Sequence, residues 1–153
     1  MSDVERRSAV EAVARSLRQV IVNTVLFNAR TADTIGLSPS DGQFLHLLEL
    51  NGPLTPGCLS RLTGFSTGAV TGVVDRLERR GFVHRERDTA DRRKVLVVLD
   101  QGKSETELAP LYTEQGRHFA TVLADYSSAE LALINGFLDR IAQTGPASTG
   151  ALP

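Results

Sequence analysis

Apolar residues recur mostly at helical spacing along this chain, and the spacing changes once, between Phe82 and Leu99. From about Val4 to Ala32, Val10, Val13, Leu17, Val20, Thr24 and Phe27 follow one another at helical intervals, with no Gly or Pro among them. This predicts one long helix. Ile21 and Val25 widen its apolar stripe, so two of its sides need cover, and a helix of this length depends on packing from outside itself. Gly36 ends it. Ser38, Pro39 and Asp41 then supply an N-cap, a first-turn proline and an acid at the positive end of the dipole. They open a second helix faced by Phe44, Leu45, Leu47 and Leu48, which Asn51-Gly52-Pro53 stops. Thr55 and Pro56 open a short third helix, with Leu59 and Leu62 inward and Gly64 closing it. Ser66 caps a fourth, running to about Arg80. Its buried stripe is Val70, Val73, Val74 and Leu77, and Gly81 is its stop.

The period then shortens to two. Phe82 to Asp88 alternates, with Val83, Arg85 and Arg87 on one side and His84 and Glu86 on the other. Val95 to Leu99 is an unbroken run of Val and Leu, and Thr89-Ala90-Asp91-Arg92 lies between the two runs. This predicts a β-hairpin with a polar, positively charged tip. A fifth helix follows over roughly Lys103 to Asp125, in which Pro110 should produce a kink or a later start. Ser127 and Glu130 have capping-box spacing for a sixth helix, striped by Leu131, Ile134, Leu138 and Ile141. Residues 145–153 are small, polar and Pro/Gly-bearing, and read as a flexible tail.

The fold class is therefore mostly α with a small β-hairpin wing: a winged helix-turn-helix with a helical region on either side. Residues 37–102 are assigned to the winged lobe, and residues 1–36 and 103–144 to the flanking helical region. No apolar run reaches membrane-spanning length, and Met1 to Arg7 is charged, unlike a signal peptide. The single cysteine, Cys58, rules out an internal disulfide framework, and the expected compartment is cytoplasmic.

A formal net charge of −1 argues against nucleic acid only until its distribution is read. Between Arg76 and Lys94 eight cationic side chains face four acidic ones, whereas from Gln101 onward three face six. The basic stretch coincides with the fourth helix and the hairpin. That helix presents Thr67, Gly68, Thr71, Gly72 and Arg76 away from its apolar stripe. Small polar residues at its start, Ser66 included, allow close approach to base edges, and free amides there suit phosphate. Arg92, Arg93 and Lys94 sit at the narrow hairpin tip, where an arginine can enter a minor groove.

Here the sequence becomes recognisable. The run from Ala69 to Val83, AVTGVVDRLERRGFV, resembles the recognition-helix signature of the multiple antibiotic resistance regulator (MarR) family. Asp91-Arg92-Arg93-Lys94 with the following apolar strand resembles that family's wing, and Gly102 matches a glycine that usually follows it. Asp100 stands where the family more often has threonine, which bears on the capping of the fifth helix. The resemblance implies a homodimer, with residues 1–36 and 103–144 as its helical dimerisation region, on a pseudo-palindromic operator in double-stranded DNA, most often as a repressor, released by a small aromatic or anionic ligand or by an oxidant. It implies Arg93 as the minor-groove arginine and Asp91 as the residue that orders the wing.

Other candidates are weaker. Phe27, Arg30, Phe44 and His46 are the residues expected at a ligand pocket. Cys58 suits a small apolar filler better than a redox switch, because only Arg61 lies within a turn of it. His46, His84 and His118 fall on three separate elements, so no metal is expected. There is no Gly-rich phosphate loop and no Ser/His/Asp grouping. Neither an enzyme nor a cofactor is expected. The rival reading is a winged-helix module that docks protein, which would have no need of Arg92-Arg93-Lys94.

Overall fold

The computed structural model describes residues 2–144. The helices are α1 (Asp3–Thr34), α2 (Pro39–Asn51), α3 (Pro56–Thr63) and α4 (Thr67–Arg79). Strands β1 (Val83–Arg87) and β2 (Val95–Leu99) follow, then α5 (Gln101–Lys103), a π-helical turn (Ser104–Leu108), α6 (Ala109–Leu123) and α7 (Ser128–Ala142). The expected tail, residues 145–153, lies outside the described residues. The chain forms two compact units, Met1–Gln43 and Phe44–Pro153.

In the first unit α1 ends where sequence chemistry predicts. Gly36 adopts φ 67°, and the Leu37 N–H returns to the Ala32 carbonyl at 2.8 Å. Ser38 and Asp41 cap α2 reciprocally. The Asp41 N–H donates to Ser38 Oγ at 3.2 Å, and the Ser38 N–H to Asp41 Oδ2 at 3.1 Å. Gly42 permits close approach, since a Cβ there would sit 3.3 Å from the Ala32 methyl. Only Thr31 and Ala32 of α1 are buried, while Val10, Val13, Val20 and Ile21 stand exposed.

The second unit holds a core of Phe44, Leu45, Leu48, Leu59, Phe82, Val83, Val97 and Leu99, together with the predicted α4 stripe of Val70, Val73, Val74 and Leu77. The Phe44 and Phe65 rings meet at 5.9 Å. Thr55 caps α3 and Ser66 caps α4, each through its side-chain oxygen. Strands β1 and β2 pair antiparallel, from Val83 opposite Leu99 to Arg87 opposite Val95. A single-residue bridge at Leu54 covers the other edge of β2, exchanging both backbone hydrogen bonds with Val97. One residue flanked by Pro53 and Thr55 carries no strand pattern, so the sequence reading gave a two-stranded hairpin alone.

Pro110 falls in the first turn of α6, whose start at Ala109 is later than the expected Lys103. The helical path begins at Gln101, where Asp100 caps it by accepting from the Lys103 N–H at 2.7 Å. It then widens through the π turn, in which the Ala109 N–H reaches the Ser104 carbonyl. Proline has no N–H and its ring clashes with the carbonyl four residues back, and the wider turn accommodates both. The Ser127–Glu130 capping box of α7 has both of its bonds. Neither α6 nor α7 buries a single residue, and Phe119, Val122, Leu133 and Leu138 are exposed.

Candidate nucleic-acid interface

Helix α4 and the β1–β2 wing place the predicted contact residues on exposed backbone. The turn between α3 and α4 is set by Gly64 at φ 71°, by the Ser60 hydroxyl donating to the Phe65 carbonyl at 2.6 Å, and by the Phe65 N–H donating to Thr63 Oγ1. Beyond it, Ser66, Thr67, Gly68 and Thr71 are exposed, while Val70 and Val74 face the core. Ser66 Oγ is committed to the Ala69 N–H at 3.3 Å. The Thr71 hydroxyl donates to the Thr67 carbonyl at 3.0 Å, which leaves its oxygen able only to accept. A Cβ on Gly68 would meet nothing within 4 Å, so no neighbour in the chain requires glycine there. Arg76 is exposed, one turn further along.

The wing tip is organised by two aspartates. Asp88 Oδ1 accepts from the Ala90 N–H at 2.8 Å, and Asp91 Oδ1 from the Arg93 N–H at 3.2 Å. The Lys94 N–H reaches the Asp91 carbonyl at 2.8 Å, and the Asp88 N–H closes on the Lys94 carbonyl at 3.1 Å. Arg92, Arg93 and Lys94 remain exposed, with Lys94 Nζ 3.8 Å from Asp91 Oδ2.

One member of the basic cluster faces inward. Arg85 on β1 places Nη2 2.6 Å from Asp75 Oδ1 and Nη1 against Glu78 Oε2, both on α4. Glu78 also accepts the Arg85 backbone N–H at 3.2 Å. The bond to Asp75 raises the guanidinium pKa above its ordinary value, opposed by partial burial and helped by the charge of Glu78. Arg85 thus ties wing to helix and neutralises two carboxylates that would otherwise face outward from α4. Sequence reading counted it only as positive charge. The i, i+3 acids on the helix hint at a partner, but only the fold says which arginine reaches them.

The residues expected around a ligand differ in burial. Phe44 is fully buried against Phe65, Phe27 is half-buried and Arg30 is exposed on α1. His46 alone lines a cavity of about 350 Å³, walled by α2, the π turn and α6. Tyr112, missed by sequence reading as a site residue, lines it too, and its hydroxyl meets His46 Nε2 at 2.9 Å. Among the described residues no three His, Cys, Asp or Glu side chains gather to hold a metal, and no helix is long and apolar enough to cross a membrane.

A capped reading helix, a tight turn before it and an arginine-tipped hairpin behind it define a winged helix-turn-helix regulator. The comparisons narrow this. The MarR family model matches residues 35–94. The chain is 38% identical over 143 residues to the HTH-type transcriptional regulator YcgE of Bacillus subtilis, covering 93% of this chain and 92% of that one. Among solved structures it resembles a MarR family protein from Bacillus stearothermophilus, at TM-score 0.66 and 26% identity, covering 90% of this chain and 95% of the other. It also resembles the transcriptional regulator Tm0710 from Thermotoga maritima, at TM-score 0.64 and 26% identity, covering 86% and 92%. The chain belongs to the MarR family of transcriptional regulators.

Proposed function

We propose that the chain is a cytoplasmic repressor, binding as a homodimer to a pseudo-palindromic operator and released by a small molecule. One observation carries the DNA reading: exposed small polar residues at the capped start of α4 and exposed Arg92, Arg93 and Lys94 at the wing tip lie on elements joined by Arg85. Ser66, Thr67, Gly68 and Thr71 meet the major groove, where the open space over Gly68 admits a base edge or phosphate. The Thr71 oxygen, able only to accept, suits an amino group of adenine or cytosine. Arg76 reaches the flanking backbone. Arg93 probes the minor groove, with Arg92 and Lys94 beside it, and the turn at Asp91 sets its direction.

The dimer reading rests on unburied helices. Val20 is 57% exposed, Phe119 53% and Leu138 50%, on helices that bury almost nothing within one chain. Apolar surface on that scale requires a partner, and a second copy presenting residues 1–36 and 103–144 supplies the same surface to itself. Two lobes then reach half-sites about one helical turn of DNA apart.

The test is binding to DNA flanking its own gene across a salt series. Arg93→Ala is expected to weaken binding by about 1–3 kcal/mol and to reduce the salt slope by about one. Two chains per site are expected, and Leu138→Asp should reduce both dimer and affinity. Salt-insensitive binding, or none, would instead favour a protein-docking winged helix.

A further inference from the structure

The cavity under α2 differs in character from the interface. One wall is apolar, made by Leu45 and Leu108. The other is polar and held by contacts distant in sequence. The His46 and Tyr112 rings meet edge-on, with centroids 5.1 Å apart, and share the hydrogen bond between Nε2 and the phenol. His46 Nδ1 lies 3.5 Å from Glu49 Oε2. Ser104, buried at 7% exposure, lines the cavity from the π turn. Its volume of about 350 Å³ falls at the lower end of the range for small-molecule sites.

Charge decides what could enter. Glu49 is the one carboxylate in the lining, and neither Lys nor Arg contributes to it. Burial, and then the negative charge of Glu49, push the Tyr112 phenol pKa up, so that ring stays neutral. A ligand carboxylate would meet Glu49, with no Lys or Arg in the lining to offset the repulsion. An ammonium would meet Glu49 and the electron-rich face of Tyr112, with an apolar body against Leu45 and Leu108.

We propose that the cavity bounded by His46, Glu49, Ser104 and Tyr112 binds a small organic cation, an amine carrying a compact apolar body, in preference to an anion. Its consequence for DNA rests on the ligand-release reading above, while binding itself does not. The cavity adjoins the base of the wing. The Ser104 N–H donates to the Asp100 carbonyl at 3.0 Å, and the Asp100 N–H to the Phe82 carbonyl at 2.9 Å. Lys103 Nζ lies 5.3 Å from the centre of the Phe82 ring. A ligand seated against Ser104 therefore bears on the segment joining β2 to α6 and on Phe82, the residue just ahead of β1.

The experiment uses the full chain and three probes of matched shape: phenylpropylamine, phenylpropanol and phenylpropanoate. Affinity is measured by calorimetry at neutral pH and constant ionic strength, supported by shifts in denaturation midpoint. The amine should bind about tenfold or more tightly than the carboxylate, with the alcohol between them. Glu49→Gln should reduce that preference to about twofold or less, whereas Glu105→Gln, an exposed acid outside the lining, should leave it intact. Binding of none of the probes, equal or tighter binding of the carboxylate, or a preference that survives Glu49→Gln would overturn the proposal. Operator release is scored separately by mobility shift. Amine binding without release would leave the site standing and sink the ligand-release reading.

Discussion

Replacing Arg85 by methionine keeps most of the apolar stem and removes only the guanidinium bridging wing and reading helix. Its side chain is 30% exposed, against 51% for Asp75 and 39% for Glu78, so the bridge lies between a solvated surface pair and a buried one. Two charge-assisted contacts in that regime contribute about 1–2 kcal/mol together. In a chain of this size that corresponds to a midpoint lowered by roughly 3–6 °C. The functional effect should exceed the stability loss. Asp75 and Glu78 become uncompensated on the helix proposed to face phosphate, and the wing loses its tie to that helix, so operator affinity should fall about tenfold. Arg85 points inward and displaces no counterion, so the slope of log K against log salt should stay within about 0.3 of wild type, in contrast to Arg93→Ala. A double-mutant cycle with Glu78→Gln isolates the pair, with an expected coupling of about 0.5–1 kcal/mol. Additive substitutions would refute the bridge. A slope reduced by a full unit would make Arg85 a phosphate contact.

Three further outcomes can be checked. Gly68→Ala should stabilise the fold by about 0.4–1 kcal/mol in chemical denaturation, because a methyl there meets nothing and alanine restricts the unfolded chain, yet it should weaken operator binding. A loss of stability would mean the glycine serves the fold instead. Asp91→Ala removes the acceptor for the Arg93 N–H, and should raise hydrogen exchange at the wing tip while leaving the global midpoint within about 1 °C. The Glu130 carboxylate is held below its ordinary pKa of 4.5 by the Ser127 hydroxyl and then by the Ser127 N–H. The pH-dependent part of its contribution to α7 should therefore be complete above 4.5, fade as pH falls through the lower folded value, and be absent from Glu130→Gln, whose amide oxygen can accept from Ser127 but does not titrate. A carboxyl titration midpoint at or above 4.5 would contradict this.

Local chemistry determined the order and ends of most elements. Ser38, Thr55, Ser66 and Ser127 are caps because each places a short oxygen-bearing side chain ahead of a helical run, and Gly36, Gly64 and Gly81 adopt positive φ where helices must stop. The α4 stripe was equally readable, since a strong 3.6-residue period has one satisfactory burial. Family membership followed from two short runs, Ala69–Val83 and Asp91–Leu99. What sequence could not supply were relations between residues distant along the chain. Arg85 looked like any other arginine until β1 packed beside α4. Phe44 and His46, two residues apart on one helix, look equally suited to a pocket, yet one fills the core and the other lines the cavity with Tyr112. Pro110 promised a kink or a later start, and α6 does start later, at Ala109, yet the π turn ahead of it carries the helical path back to Gln101. Periodicity and capping act within a few residues, so one chain segment encodes them alone. Ion-pair partners, cavities and the bridge at Leu54 depend on which segments meet, and only the tertiary structure decides that.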